Sequence, residues 1–213
     1  SVAHKLAVDT FGEHPSVHVW GMQGSFYQLP LYTHLHYLPP TSRRRRIFAM
    51  LGLTLGNLEH EPRFFQHNLI TCAPGDFLVL DMQLAQAPVD QPEQIKQKDK
   101  TWGAGVSAAH KAWLSGPIRR HCRDVQSIEF HWQLDTLCPV PGSYALDAVA
   151  TIKSEGRVDR QFSVFRFRRY DPARLEECLS TLGWQRLLAL PFGEPEKTSM
   201  VMLFVKTGDG RSE

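Results

Sequence analysis

The chain has 213 residues, 42% hydrophobic and 22% charged, which suits one large globular domain or one domain with an appended lobe. A formal charge of +2 is too small to make nucleic acid the principal partner, and no apolar run approaches the about 20 residues a membrane helix needs. No positively charged leader precedes an apolar core, and the four scattered cysteines (Cys72, Cys122, Cys138, Cys178) form no C-x-x-C pair, so they read as reduced thiols of a cytoplasmic protein.

The chain opens at Ser1, almost at once in patterned sequence, which reads as the later part of a longer protein. Residues 3–11 suit the end of an amphipathic helix stopped by Gly12 and Pro15, and residues 16–22 alternate as a strand does. Gly24, Ser25, Phe26 and Tyr27 follow as a loop, and 31–46 read as irregular, with Arg43 to Arg46 a solvated approach to the next strand. Ile47 to Leu51 lacks polar alternation and predicts a strand buried on both faces of a parallel sheet. Gly52, Thr54, Gly56 and Asn57 come next, and Pro62 opens a helix whose apolar residues are Phe64, Phe65, Leu69 and Ile70. Open α/β sheets bind ligands beyond the carboxyl ends of their strands. Gly52 and Gly56 would admit a ligand close to the backbone there, and Asn57 offers a donor and an acceptor; an ordinary strand-to-helix loop explains the stretch equally well.

Residues 73–76 (Ala-Pro-Gly-Asp) make a turn into a second buried strand, 77–82. The polar, lysine-rich stretch 86–101 reads as an exposed connection or a mobile helix, and 106–122 as helices broken at Gly116-Pro117. From Ser127 the pattern turns to strands: 127–134, 143–153 and 160–170, with a hairpin turn over 154–157. Asp171 is the expected cap of a helix beginning at Pro172 and ending by Gly183, and 200–205 a closing strand.

Reactive signatures are sparse. His34 and His36 could share a metal, yet no third ligand is fixed by nearby spacing. Glu59, His60 and Glu61 stand where helix N-termini collect acids, so capping explains them. Neither a nucleophile elbow nor a phosphate loop occurs, and the adjacency of His121 and Cys122 is a weak signal.

Three segments, 17–26, 50–58 and 73–81, together resemble the histidine-specific methyltransferase family, class I S-adenosylmethionine enzymes that trimethylate the α-amine of histidine for ergothioneine. The shared features are Leu51-Gly52, a spacer with Thr54, then Gly56-Asn57, and a Pro-Gly-Asp turn feeding a strand; Gly105 to Ala109 is similar to a later Gly-Val-Thr segment. The resemblance implies a class I methyltransferase (Rossmann-like) α/β sheet, incomplete at its N-terminus, with a β-rich inserted lobe. It implies three parts: 1–85 and 171–213 in the α/β domain, and 86–170 as the substrate lobe. S-adenosyl-L-methionine is the implied cofactor. Gly24, Ser25 and Phe26 match the adenine-holding loop, while Leu51, Gly52 and Thr54 match the strand end that faces the methionine part and the sulfonium. Asn57 matches an acceptor-binding residue.

Departures from the family point away from histidine. Ser25 replaces the usual aspartate near the adenine, Lys100 falls about where a substrate tyrosine is expected, and the family's imidazole-holding glutamate and serine fall on Phe165 and Phe167. The expected function is methyl transfer to a small amine or amino-acid-like acceptor, with an N-terminal segment or second chain completing the sheet. The rival is a non-catalytic methyltransferase-like binding or assembly domain. The third reading is a metal-dependent hydrolase using His34, His36 and the acids around His60.

Overall fold

A computed structural model describes residues 9–10, 25–33, 45–52, 54–122, 124–154, 158–193 and 197–207. The chain divides into two compact units, Ser1–Tyr37 and Leu38–Glu213. In the first, Asp9 and Thr10 are helical, and a 3-10 turn (Phe26–Gln28) runs directly into helix α1 (Leu29–Thr33). The loop expected over 24–27 is therefore a helix start: the Ser25 hydroxyl oxygen accepts from the Tyr27 amide at 3.3 Å, a local bond that favours a turn. The expected strand 16–22, Gly24, His34 and His36 lie outside the described residues.

The second unit is built on one mixed seven-stranded sheet. Its strands are β1 (Ile47–Met50), β2 (Phe77–Leu84), β3 (Val125–Asp135), β4 (Tyr144–Ser154), β5 (Arg160–Tyr170), β6 (Trp184–Phe192) and β7 (Ser199–Lys206). The order is β3-β4-β5-β2-β7-β6, with β1 also on β2. β1 runs parallel to β2 along Phe77 to Leu80, and β5 joins β2 in parallel only at Gln83 and Leu84. One edge of β2 thus carries two strands in succession, and the junction between them lies where β1 ends. β7 is antiparallel to both β2 and β6, so the sheet is α/β but mixed, not the parallel sheet read from the sequence.

β1 is not buried on both faces. Ile47 is 69% exposed and Ala49 is exposed, while Met50 is buried. The register places Ile47 and Ala49 beside Phe77 and Val79 of β2, which face the same side as Val205 and Leu203 of β7, and all four of these are only half-buried. The opposite face holds Leu78, Leu80, Met82, Met202 and Phe204, each at most 1% exposed. The uniform run of apolar residues in β1 therefore reports a short strand with one packed side. Its entry is tied down: Arg46 lies in an ion pair with buried Asp76 at 2.6 Å and reaches the Thr71 carbonyl. Asp76 also accepts from the Ala73 amide at 2.8 Å, so the Pro-Gly-Asp turn and the arginine run form one clasp. The arginine run expected to be solvated is, at Arg46, structural.

Helix α2 (Glu61–Asn68) starts with Pro62 in its first turn, as expected, and His60 caps it by accepting from the Arg63 amide at 3.2 Å. Phe64, Phe65 and Leu69 are buried, whereas Ile70 lies past the helix end and is exposed. The stretch read as an exposed connection or a mobile helix forms two helices, α3 (Pro92–Lys98) and α4 (Lys100–Ala104), with Ile95 and Asp99 both buried. The break expected at Gly116-Pro117 does not occur, since α5 (Ala108–His121) runs through it. Ser107 caps this helix, and Leu114 and Ile118 bury one face against β3 and β4, so tertiary packing outweighs the lost proline donor. Asp171 caps α6 (Pro172–Ser180) through the Ala173 and Arg174 amides. β4 and β5 pair antiparallel as the hairpin reading requires, although 155–157 lie outside the described residues. β6 was not legible in the sequence: a bulge between Arg186 and Leu188 breaks its alternation.

Candidate functional site

The chain leaves β1 at Met50 and bends at Gly52, which has φ +67° and, among the described residues, nothing within 4 Å of where a side chain would stand. Leu51 is 57% exposed and Gly52 is also exposed. The Thr54 hydroxyl donates to the Leu51 carbonyl at 2.6 Å and closes the bend, and Thr54–Asn57 form a 3-10 turn. The Gly52 amide donates to Asp81 Oδ2 at 3.0 Å, so β2 fixes the bend from the neighbouring strand. Asp81 Oδ1 is buried and has no hydrogen-bond partner among the described residues. A carboxylate oxygen with no donor among the described residues, beside the carboxyl end of β1, is where an incoming N–H group gains most. Asp81 lies inside the second strand expected from the sequence (77–82), and only the pairing with β1 reveals its part in the site.

Gly56 does not serve ligand approach. A Cβ there would stand 3.0 Å from the Arg168 backbone nitrogen, so its missing side chain lets the turn pack on β5. Asn57, expected to orient the acceptor, is exposed at the far end of the turn. Phe167 does approach the site, because it shares with Gly56, Asp81, Gln83, Arg168 and Tyr170 the wall of a small cavity of about 10 Å³. Phe165 stands 5.8 Å from Phe167 in an aromatic cluster with Trp113, Trp132 and His110. The structure therefore joins Gly52 with Asp81, and Gly56 and Asp81 with Phe167. Ser25 and Phe26 belong to the other unit.

Three arginines of β5 hold this arrangement. Arg168, buried, donates to Glu61 Oε1 at 2.7 Å, to the Glu59 carbonyl at 3.0 Å and to the Leu58 carbonyl, which staples the turn and the start of α2 to the sheet. The Tyr170 hydroxyl donates to the same Glu61 oxygen at 2.5 Å; burial, then the Glu61 charge, push the Tyr170 hydroxyl well above its ordinary pKa. Glu61 is thus a buried partner and not a solvated end charge. On the other face, Arg169 binds both oxygens of Asp99, as well as Gln83 and Thr101 Oγ1, and the Tyr144 hydroxyl donates to Asp99 at 2.9 Å. Burial pushes the Asp99 carboxyl up, but the Arg169 hydrogen bonds and charge outweigh it and leave its pKa lowered. Arg166 pairs with Asp147 at 2.7 Å and Asp135 at 2.9 Å, tying β5 to β4 and β3. Successive residues point to opposite faces of a strand, so the Arg168-Arg169 pair clamps helices on both sides.

Burial pushes the Cys72 thiol to about 12 and the Cys138 thiol to about 11, which suits neither as a nucleophile. Among the described residues no three His, Cys, Asp or Glu side chains are grouped to hold a metal. No helix among the described residues is long and apolar enough to cross a membrane.

No family model and no curated protein matches the sequence. Among solved structures, an S-adenosylmethionine-dependent methyltransferase from Clostridium acetobutylicum ATCC 824 is similar at a TM-score of 0.42 and 10% identity, covering 96% of this chain and 71% of that one. A likeness at that level carries no argument about activity. None of these comparisons supports the histidine-specific methyltransferase family expected from the sequence.

Proposed function

We propose that the chain is an S-adenosylmethionine-dependent methyltransferase acting on a small amine-bearing or amino-acid-like acceptor other than histidine. The observation that carries the reading is the bend after β1: a glycine at a parallel strand's carboxyl end with space beside it among the described residues, its amide held by Asp81, whose other oxygen has no donor among them. These residues fit such a cofactor. A glycine with free space beside it admits the methionine part, and an acidic group suits an amine. When bound, the cofactor supplies an electrophilic methyl on its sulfonium. Leu51, Gly52 and Thr54 would line its methionine end. Asp81 would hold the acceptor's N–H, Asn57 would orient the rest of the acceptor, and Phe165 and Phe167 would form an apolar wall within the 86–170 lobe. An imidazole facing that wall would leave its polar atoms unpaired at about 1–3 kcal/mol each, which disfavours histidine. The residues' contribution is position and exclusion of water, and orientation supplies much of the rate in such displacements.

One observation favours the rival, a binding or assembly domain of the same shape without a cofactor. The cavity beside Asp81, about 10 Å³, has room for a single water. Calorimetric titration with S-adenosylmethionine and with its demethylated product separates the two. The enzyme reading requires a saturable heat that Gly52→Val abolishes; no heat from either nucleoside overturns it.

A further inference from the structure

A hollow of about 450 Å³ lies between α5 and the first half of β5 and shares no residue with the bend after β1. One wall is Trp113, Pro117 and His121, which recur every fourth residue along one stripe of the helix, and the other is Phe162 and Val164. Ile118 packs with Ala150 and Ile152 of β4, so the helix lies over β4, yet no residue of β3 or β4 lines the hollow. It therefore opens on the β5 side.

That side is an unpaired strand edge. β5 bonds to β4 along one edge from Arg160 to Arg169, and its other edge meets only β2, at Arg169 and Tyr170. Over Arg160 to Phe167 this second edge has no strand partner among the described residues, and Arg160 to Ser163 are all exposed. An unpaired edge presents a row of backbone N–H and C=O groups that an extended chain completes. A bulge opposite Ala148 and Val149 confines the regular run to the residues before Val164, which is the run beside the hollow.

Charge selects the partner. Neither α5 nor β5 contains an aspartate or a glutamate. Lys111, Arg119, Arg120 and Arg160 are exposed, and none has a carboxylate partner among the described residues. A helix C-terminus favours cations, which accounts for Arg119 and Arg120. It accounts neither for Arg160 nor for the exposed rings at the rim, Trp113 at 64% and Phe162 at 40%. A second copy of the chain on this edge would bring two such sets of cations together, and a phosphate backbone would leave the strand's alternating donors and acceptors unused. We propose that this groove binds an extended acidic peptide segment, which adds as a strand to the free edge of β5 and seats one apolar side chain between Trp113 and Phe162. The proposal is independent of the methyltransferase reading.

The test titrates the full chain, labelled with nitrogen-15, with the acetylated and amidated peptide Glu-Asp-Thr-Phe-Val-Glu-Asp. The peptide is expected to shift the Arg160 to Ser163 amides and the Trp113 indole saturably at millimolar concentration, and to slow hydrogen exchange at alternate amides of that run. N-methylating alternate backbone nitrogens of the peptide should weaken it about tenfold, the loss of one or two hydrogen bonds. Lysine at its acidic positions should weaken it by about the same factor, and Arg160→Glu, at an exposed position, should weaken the acidic form about fivefold. Amides that the acidic peptide leaves unmoved, or that the lysine or N-methylated form moves equally, overturn the proposal. Oligothymidylate that binds this run more tightly than the peptide overturns it in favour of a nucleic-acid surface.

Discussion

Removing Arg168 should expose the structural logic of the site. Arg168→Met deletes one charge-assisted bond to Glu61 and two bonds to the Leu58 and Glu59 carbonyls, all at a side chain only 1% exposed. Glu61, fully buried, would keep only the Tyr170 hydroxyl. Removing one partner of a buried ion pair costs about 3–5 kcal/mol, because a charge is left in low dielectric. The pair is imperfectly satisfied to begin with, since Glu61 Oε2 and Arg168 Nε are both buried without partners. Each such atom carries a penalty of about 1–3 kcal/mol, which places the single variant near the lower figure, about 3 kcal/mol. The same defect predicts that Glu61→Leu with Arg168→Met recovers about 2 kcal/mol of that loss, because both orphan atoms disappear with the charges. Urea unfolding followed by tryptophan fluorescence measures all three variants. A loss below about 1 kcal/mol for Arg168→Met, or additive losses in the double variant, would refute the buried lock.

Other outcomes follow from the same geometry. Gly52→Ala should cost about 1–2 kcal/mol through its positive φ alone, whereas Gly56→Ala meets backbone at 3.0 Å and should cost up to about 3 kcal/mol; equal unfolding midpoints would contradict this contrast. Asp99 has a lowered pKa when folded, so its stabilisation is complete above the unfolded value of about 3.9 and is lost as pH falls through the folded one. Acid unfolding between pH 5 and 2, on the order of that window, should therefore be less steep in Asp99→Asn than in the parent. At pH 8 the Cys72 thiol, at about 12, is ionised to roughly one part in ten thousand. A thiol-disulfide reagent should leave Cys72 unmodified until urea unfolds the chain, and an immediate reaction at Cys72 would refute its burial.

Local chemistry was legible where one residue type has one use. Pro62 and Pro172 opened their helices, Asp171 capped, and the Pro-Gly-Asp turn led into β2, each through a bond within four residues. What depends on residues distant in the chain was not legible. Gly56 looked like a ligand glycine, yet its neighbour is Arg168, 112 positions away and decided by β5 reaching past the end of β1. Glu61 looked like a helix-end charge, and only the same strand crossing turns it inward. Asp81 drew no notice within an apolar run, because its meaning comes from the Gly52 amide on the adjacent strand. Pro117 broke a helix on local grounds, and the packing of Leu114 and Ile118 overruled it.

The central claim is that the bend at Gly52 faces a sulfonium-bearing nucleoside. Its most direct test is the backbone amide resonance of Gly52 during titration with S-adenosylhomocysteine, in the parent chain and in Asp81→Asn. The account predicts a saturable shift of Gly52 and its neighbours, retained in the variant because asparagine still accepts from the amide. A titration that leaves Gly52 unmoved, or moves only residues remote from β1 and β2, would contradict it.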